Sequence, residues 1–76
     1  MKLYELRDAL TIDGPVNITT WSGDDSTPVY IGDMVNIPRS TWAEVYGLEI
    51  AYLFANTAYF KNNLTPVLCI ELRSEE

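Results

Sequence analysis

The segment 48–55, Leu-Glu-Ile-Ala-Tyr-Leu-Phe-Ala, constrains this chain more than any other. Side chains of an extended strand alternate between two faces. Leu48, Ile50, Tyr52 and Phe54 would share one face, and Glu49, Ala51, Leu53 and Ala55 the other. Only Glu49 is charged, so a strand here needs cover on both sides, as in a central strand or at a subunit interface. Tyr52, on the larger apolar face, is expected in the core.

That cover has to come from a short chain. Residues 1–76 make one domain, and a core of this size contributes only about 3–5 kcal/mol of net stability. The single cysteine, Cys69, cannot form an intramolecular disulfide, and without histidine the chain lacks the ligands of a zinc site. A well-packed core or a second subunit is left. The hydrophobic content of 47% supports a core and argues against disorder.

Leu3, Leu6 and Leu10 recur at helical spacing and predict a short amphipathic helix. Asp13-Gly14-Pro15 is a turn signal. Val16, Ile18 and Thr20 alternate with Asn17, Thr19 and Trp21 and predict a strand. A loop over 22–26 and a second strand over 29–31 complete a hairpin, with Pro28 at the strand's start or on an edge. The stretch 32–39 reads as a loop whose apolar residues, Met34, Val35 and Ile37, pack under the domain. Ser40 or Thr41 is expected to cap a short helix, Thr41 and Glu44 having capping-box spacing, and Gly47 to end it in a left-handed conformation. The segment 56–66 is expected to be a return loop turning at Asn62-Asn63, followed by a strand over 67–72. The predicted fold is α+β: a short N-terminal helix, a four-stranded antiparallel sheet made of two hairpins, and a short crossover helix.

Several chemistries lack their residues. Histidine, the commonest acid–base group near neutral pH, is absent. Cys69 sits between Leu68 and Ile70 in a predicted strand, where it packs. The four glycines are isolated and form no phosphate loop. Asp24, Asp25 and Asp33 lack the alternating ligand pattern of a calcium loop and read as turn-capping residues. Glu49 and Glu71 could stand as cross-strand neighbours, but like charges directly opposite destabilise a sheet. The expectation is a non-enzymatic protein with no cofactor and no metal. A net charge of −6 disfavours direct nucleic-acid binding and anionic membranes, while it suits a basic protein surface. No run approaches the length of a membrane span and the N-terminus has no signal-peptide core, so a cytoplasmic location is expected. Aromatic and Arg residues are the usual binding anchors. The candidate partner-binding residues are Trp21, Asp24, Asp25, Tyr30, Asp33, Arg39, Trp42 and Tyr46, with Trp42 expected to be mainly core.

The opening Leu3-Tyr4-Glu5-Leu6, the Val16-x-Ile18 strand, Gly47-Leu48-Glu49-Ile50-x-Tyr52 and Leu68-Cys69-Ile70-Glu71-Leu72 together resemble small uncharacterised proteins encoded by phages and prophages of Gram-positive gut bacteria. The resemblance covers most of the chain outside 22–38 and 56–66. It implies a phage accessory protein in a bacterial host cytoplasm that inhibits a host defence system, as anti-CRISPR proteins do, by binding an effector such as a CRISPR nuclease. Two other readings stand beside it. One is a self-associating structural or regulatory phage protein, a homodimer, suggested by the two apolar faces of 48–55. The other is a small-ligand (nucleotide) binding module, which would need a pocket with basic groups, shared between subunits around Arg39 or Lys61.

Overall fold

Two strands with the most regular apolar alternation form the centre of the sheet. In the computed structural model, which describes residues 1–9 and 14–74, these are β1 (Pro15–Ser22) and β4 (Asn63–Arg73). Val16 and Ile18 from β1, and Ile70 and Leu72 from β4, are wholly buried on one face. Each such side chain contributes about 1.5–3 kcal/mol by leaving water. β2 (Asp25–Asp33) flanks β1 and β3 (Glu49–Phe60) flanks β4, giving the strand order β2-β1-β4-β3.

β1 and β2 pair antiparallel, as do β3 and β4, so both expected hairpins are present. The two are joined by parallel pairing of β1 with β4, from Val16 opposite Leu68 to Trp21 opposite Arg73. The sheet is therefore mixed, which corrects the antiparallel expectation. Its physical reason is burial. The strands that bury Val16 and Ile18 and Ile70 and Leu72 take the centre, whichever direction that imposes on them.

Helices cover one face. α1 (Leu3–Ala9) presents Leu3 and Leu6, a 3-10 turn over Met34–Asn36 presents Met34, and α2 (Arg39–Val45) presents Val45. With Ile37 and the sheet residues these form one core, against which Val29, Tyr30, Trp42, Leu48, Ile50 and Leu68 pack. Val35, expected with this group, points to solvent. Leu10 of the expected N-terminal helix, and the aspartate of its turn signal, lie outside the described residues. Among the described residues no helix is long and apolar enough to cross a membrane.

Seven-residue helices are not stable alone, and tertiary bonds hold both ends of this pair. The amide of Lys2 donates to Glu5 Oε1 at 2.9 Å, half of a capping box at the start of α1. The amide of Tyr4 donates to the carbonyl of Tyr46 at 3.0 Å, tying α1 to the end of α2. α2 starts one turn earlier than its expected caps. Pro38 occupies the cap position, so neither Ser40 nor Thr41 caps it, and Gly47 is not left-handed. Its carbonyl instead accepts a hydrogen bond from Lys2 Nζ at 3.0 Å.

The expected loops at both hairpin ends are tight turns. Gly23 and Asp24 connect β1 to β2, with only Gly23 at positive φ, the pattern of a type II′ turn. The 56–66 segment is strand almost throughout, and the chain reverses at Lys61-Asn62, both at positive φ as in a type I′ turn.

Candidate interaction face

Helices cover one side of the sheet, and the other side is formed by side chains alone. On β1 this open face carries Asn17, Thr19 and Trp21, and on β4 Val67, Cys69, Glu71 and Arg73. On β3 it carries Tyr52 and Phe54, opposite Glu71 and Cys69. A bulge decides which β3 residues face this way. Ile50 pairs with Leu72 and Tyr52 with Glu71, leaving Ala51 unpaired. One inserted residue reverses the phase of a strand. Ile50 thus stays on the helix side while Tyr52 and Phe54 cross to the open side. Tyr52 is 66% exposed, which overturns its expected place in the core.

A groove of about 540 Å³ lies at one end of this face, lined by Trp21, Gly23, Tyr52, Glu71, Arg73 and their neighbours. Trp21 forms its wall and is held in place because the indole Nε1 donates a short hydrogen bond to Glu71 Oε1. Arg73, on the last strand, stands beside Trp21 on β1 and Glu49 on β3. Glu49 and Glu71 are not cross-strand neighbours: Glu49 faces Arg73 and Glu71 faces Tyr52. The Met1 ammonium, first through a 2.9 Å hydrogen bond and then through its charge, holds the Glu49 carboxyl below the ordinary carboxylate range. Farther along the face, Cys69 is buried between neighbouring strands, and desolvation, then the charge of Glu71, pushes its thiol upward.

The other expected binding residues do not gather here. Asp24 and Asp25 lie in the exposed turn that continues from Gly23 at the groove's rim. Tyr30 is half-buried against the core and its hydroxyl donates to the Asp33 carbonyl at 2.7 Å, so both belong to the far end of β2. Arg39 is exposed at the start of α2. Trp42 and Tyr46 lie on the helical side, where their rings stack 6.3 Å apart, Tyr4 meets Tyr46 at 6.3 Å and the Arg7 guanidinium sits 4.5 Å over Trp42. These contacts brace the two helices. Lys61 lies over the Phe60 ring in the hairpin turn, on a different element from Arg39, and neither lines the groove.

Sequence reasoning missed Tyr52, Glu71 and Arg73 as parts of this site. The bulge concealed Tyr52, and only the β1–β4 pairing brings Arg73 beside Trp21. Among the described residues no group of carboxylates and thiols is arranged to hold a metal. No family model, curated protein or solved structure matches the chain.

Proposed function

We propose that the chain is a non-enzymatic binding protein that docks its Trp21–Tyr52–Arg73 groove and the adjoining Asp24-Asp25 turn onto a basic surface of a partner protein. The observation carrying this reading is the meeting of Trp, Tyr and Arg, the three side chains richest in binding energy, in one groove beside an acidic turn. The net charge of −6 adds long-range attraction to a basic partner and repels nucleic acid. A nucleic-acid-handling enzyme presents such a basic surface. In combination with the phage resemblance, this favours a bacterial defence effector such as a CRISPR nuclease as the partner, met in the host cytoplasm.

Titration of the purified chain against a panel of CRISPR nucleases, by calorimetry at two salt concentrations, tests the reading. The expected result is a complex that weakens as salt rises and loses roughly thirtyfold in affinity on Arg73→Ala, the cost of about 2 kcal/mol typical of a binding anchor. Asp24→Lys with Asp25→Lys should slow association more than it speeds dissociation. No complex with any member, or one indifferent to these substitutions, refutes the reading.

A further inference from the structure

β3 is an edge strand, and its outer side is only partly covered. Residues 1–3 run antiparallel along its start: the Leu3 amide donates to the Leu48 carbonyl at 3.1 Å, and the Ile50 amide to the Met1 carbonyl at 2.8 Å. That cover ends at the Ala51 bulge. Among the described residues, none pairs with the outer side of β3 from Ala51 to Phe60. This stretch, Ala-Tyr-Leu-Phe-Ala-Asn-Thr-Ala-Tyr-Phe, contains no charge, proline or glycine. Long apolar edges of this kind recruit another strand unless something covers them. We infer that two copies of this chain pair antiparallel through residues 51–59 of β3, centred on Ala55, to make one continuous eight-stranded sheet.

Three observations select a second copy as the occupant. The first is self-complementarity. Pairing about Ala55 sets Ala51 against Tyr59, Tyr52 against Ala58, Leu53 against Thr57 and Phe54 against Asn56. Each aromatic side chain meets a smaller partner, and the register uses the whole bare edge between the N-terminal cover and the Lys61-Asn62 turn. The second is hydrogen bonding. Thr57 faces Pro66, which has no amide, and its own amide is taken by Asn56 Oδ1 at 2.8 Å. Strand alternation turns the amides of Leu53, Ala55 and Tyr59 to the same outer side. The register about Ala55 sets Ala55 opposite its own copy, each amide donating to the other's carbonyl, and sets the Leu53 amide opposite the Thr57 carbonyl, while the Thr57 amide stays with Asn56 Oδ1.

The third observation concerns charge and area. A chain of net charge −6 repels its own copies over most of its surface, and 50–60 is a segment where contact brings no like charges together. Tyr52, Leu53, Phe54 and Tyr59 are 66, 45, 42 and 77% exposed. At about 200 Å² for a large side chain they offer roughly 450 Å² per copy. Edge pairing covers the flanks of these side chains together with the strand's backbone, so this area is an upper limit, set against the roughly 600 Å² per partner at the lower bound of stable interfaces. Ala51 and Tyr52 line the Trp21 groove, so the pairing sets each groove beside the seam, next to Ala58 and Tyr59 of the other copy, and the dimer would present two such grooves. The inference does not depend on what the groove binds.

Analytical ultracentrifugation of the full chain over a concentration series, with cysteine cross-linking, tests the inference. The wild type should sediment as a closed dimer. Leu53→Lys should weaken association about a hundredfold, because two ammonium groups then face a dry interface, with the circular dichroism spectrum unchanged. In a Cys69→Ala background, Ala55→Cys should give a disulfide-linked dimer and Tyr59→Cys should not, since only position 55 meets its own copy across the axis. A monomer at high concentration, an open-ended series of larger species, a dimer indifferent to Leu53→Lys, or a dimer without the Ala55→Cys cross-link overturns the inference. Groove binding by the monomeric Leu53→Lys variant separates failure of this pairing from failure of the proposed function.

Discussion

The two edges of this sheet are built on opposite principles. β2 carries Asp25 and Asp33 at its ends and Pro28 inside, and Val29 bulges where Ile18 pairs with Tyr30 and Thr19 with Pro28. Charge, proline and bulge each spoil an edge as a template for another strand. β3 has its charge and its bulge confined to the start, where residues 1–3 already cover it, and then runs bare and apolar to Phe60. Both edges belong to the same four-stranded sheet. The difference is one of placement: charge, proline and a bulge fall along β2, while β3 beyond Ala51 has none of them.

The most severe way to break the comparison is to remove what both edges hang on. Ile70, wholly buried on β4, lies between Ile18 of β1 and Leu53 of β3. Ile70→Ala is expected to cost about 2–5 kcal/mol, as large-to-small core changes do. That is comparable with the entire net stability of a domain this size. Urea denaturation should show the variant largely unfolded near room temperature, and hydrogen exchange should show both edges losing protection together. Survival of one edge alone would mean that the hairpins are separate cooperative units.

A second test exchanges the character of the edges. Pro28→Val with Asp25→Thr removes two of the protections on β2 and leaves β3 as it is. A molecule with two receptive edges propagates, whereas one receptive edge closes at two copies. Light scattering should therefore show a mass that keeps rising with concentration for this variant and levels off for the wild type. A level mass for both would mean that the bulge at Val29 and Asp33 suffice to protect β2.

β2 also contains Gly32, the glycine of this chain with the least room for a side chain. Gly32 has φ +146, and a Cβ there would lie 2.8 Å from the Tyr30 hydroxyl oxygen and 3.6 Å from a Phe60 ring carbon of the opposite hairpin. Gly32→Ala is expected to cost about 1–3 kcal/mol from the unfavourable φ and the close contact. Thermal denaturation should show a lower midpoint, and Tyr30→Phe should recover part of the loss by removing the hydroxyl. An unchanged midpoint would mean that β2 can shift outward here, as an uncovered edge is free to do.

Local pattern carried the individual elements and failed where partners are distant in sequence. The β1 alternation of Val16 and Ile18 and the helical spacing of Leu3 and Leu6 both identified core residues, because each motif buries its own apolar face. The parallel pairing of β1 with β4 joins Val16 to Leu68, and nothing within either strand encodes a neighbour so far along the chain. The 56–66 segment read as a loop because Asn56, Asn62, Asn63 and Pro66 are turn formers. In the fold Asn56 caps an outward amide and Pro66 sits where β4 needs no donor toward β3. Of the groove, Trp21 was legible as a side chain turned away from Val16 and Ile18. Tyr52 was not, since the bulge at Ala51 depends on pairing rather than on composition.

The smallest expected effect gives the finest probe of the β3 side. Cys69 lies on the open face beneath Phe54, its cross-strand neighbour on β3, with Asn17 on its other side. Burial and the Glu71 charge raise its folded pKa above the value in the unfolded chain. The neutral thiol is thus favoured in the folded state, and stability falls as pH rises from the unfolded thiol value toward the folded one. Alkylation at neutral pH should run at least about tenfold slower than in the unfolded chain, because attack needs an accessible thiolate. Its rate then reports local opening of the β3 side. Pairing of two copies holds β3 down, so the rate should fall further as protein concentration rises, while Leu53→Lys should abolish that dependence. A rate independent of concentration in the wild type would place the opening over Cys69 somewhere other than the β3 edge.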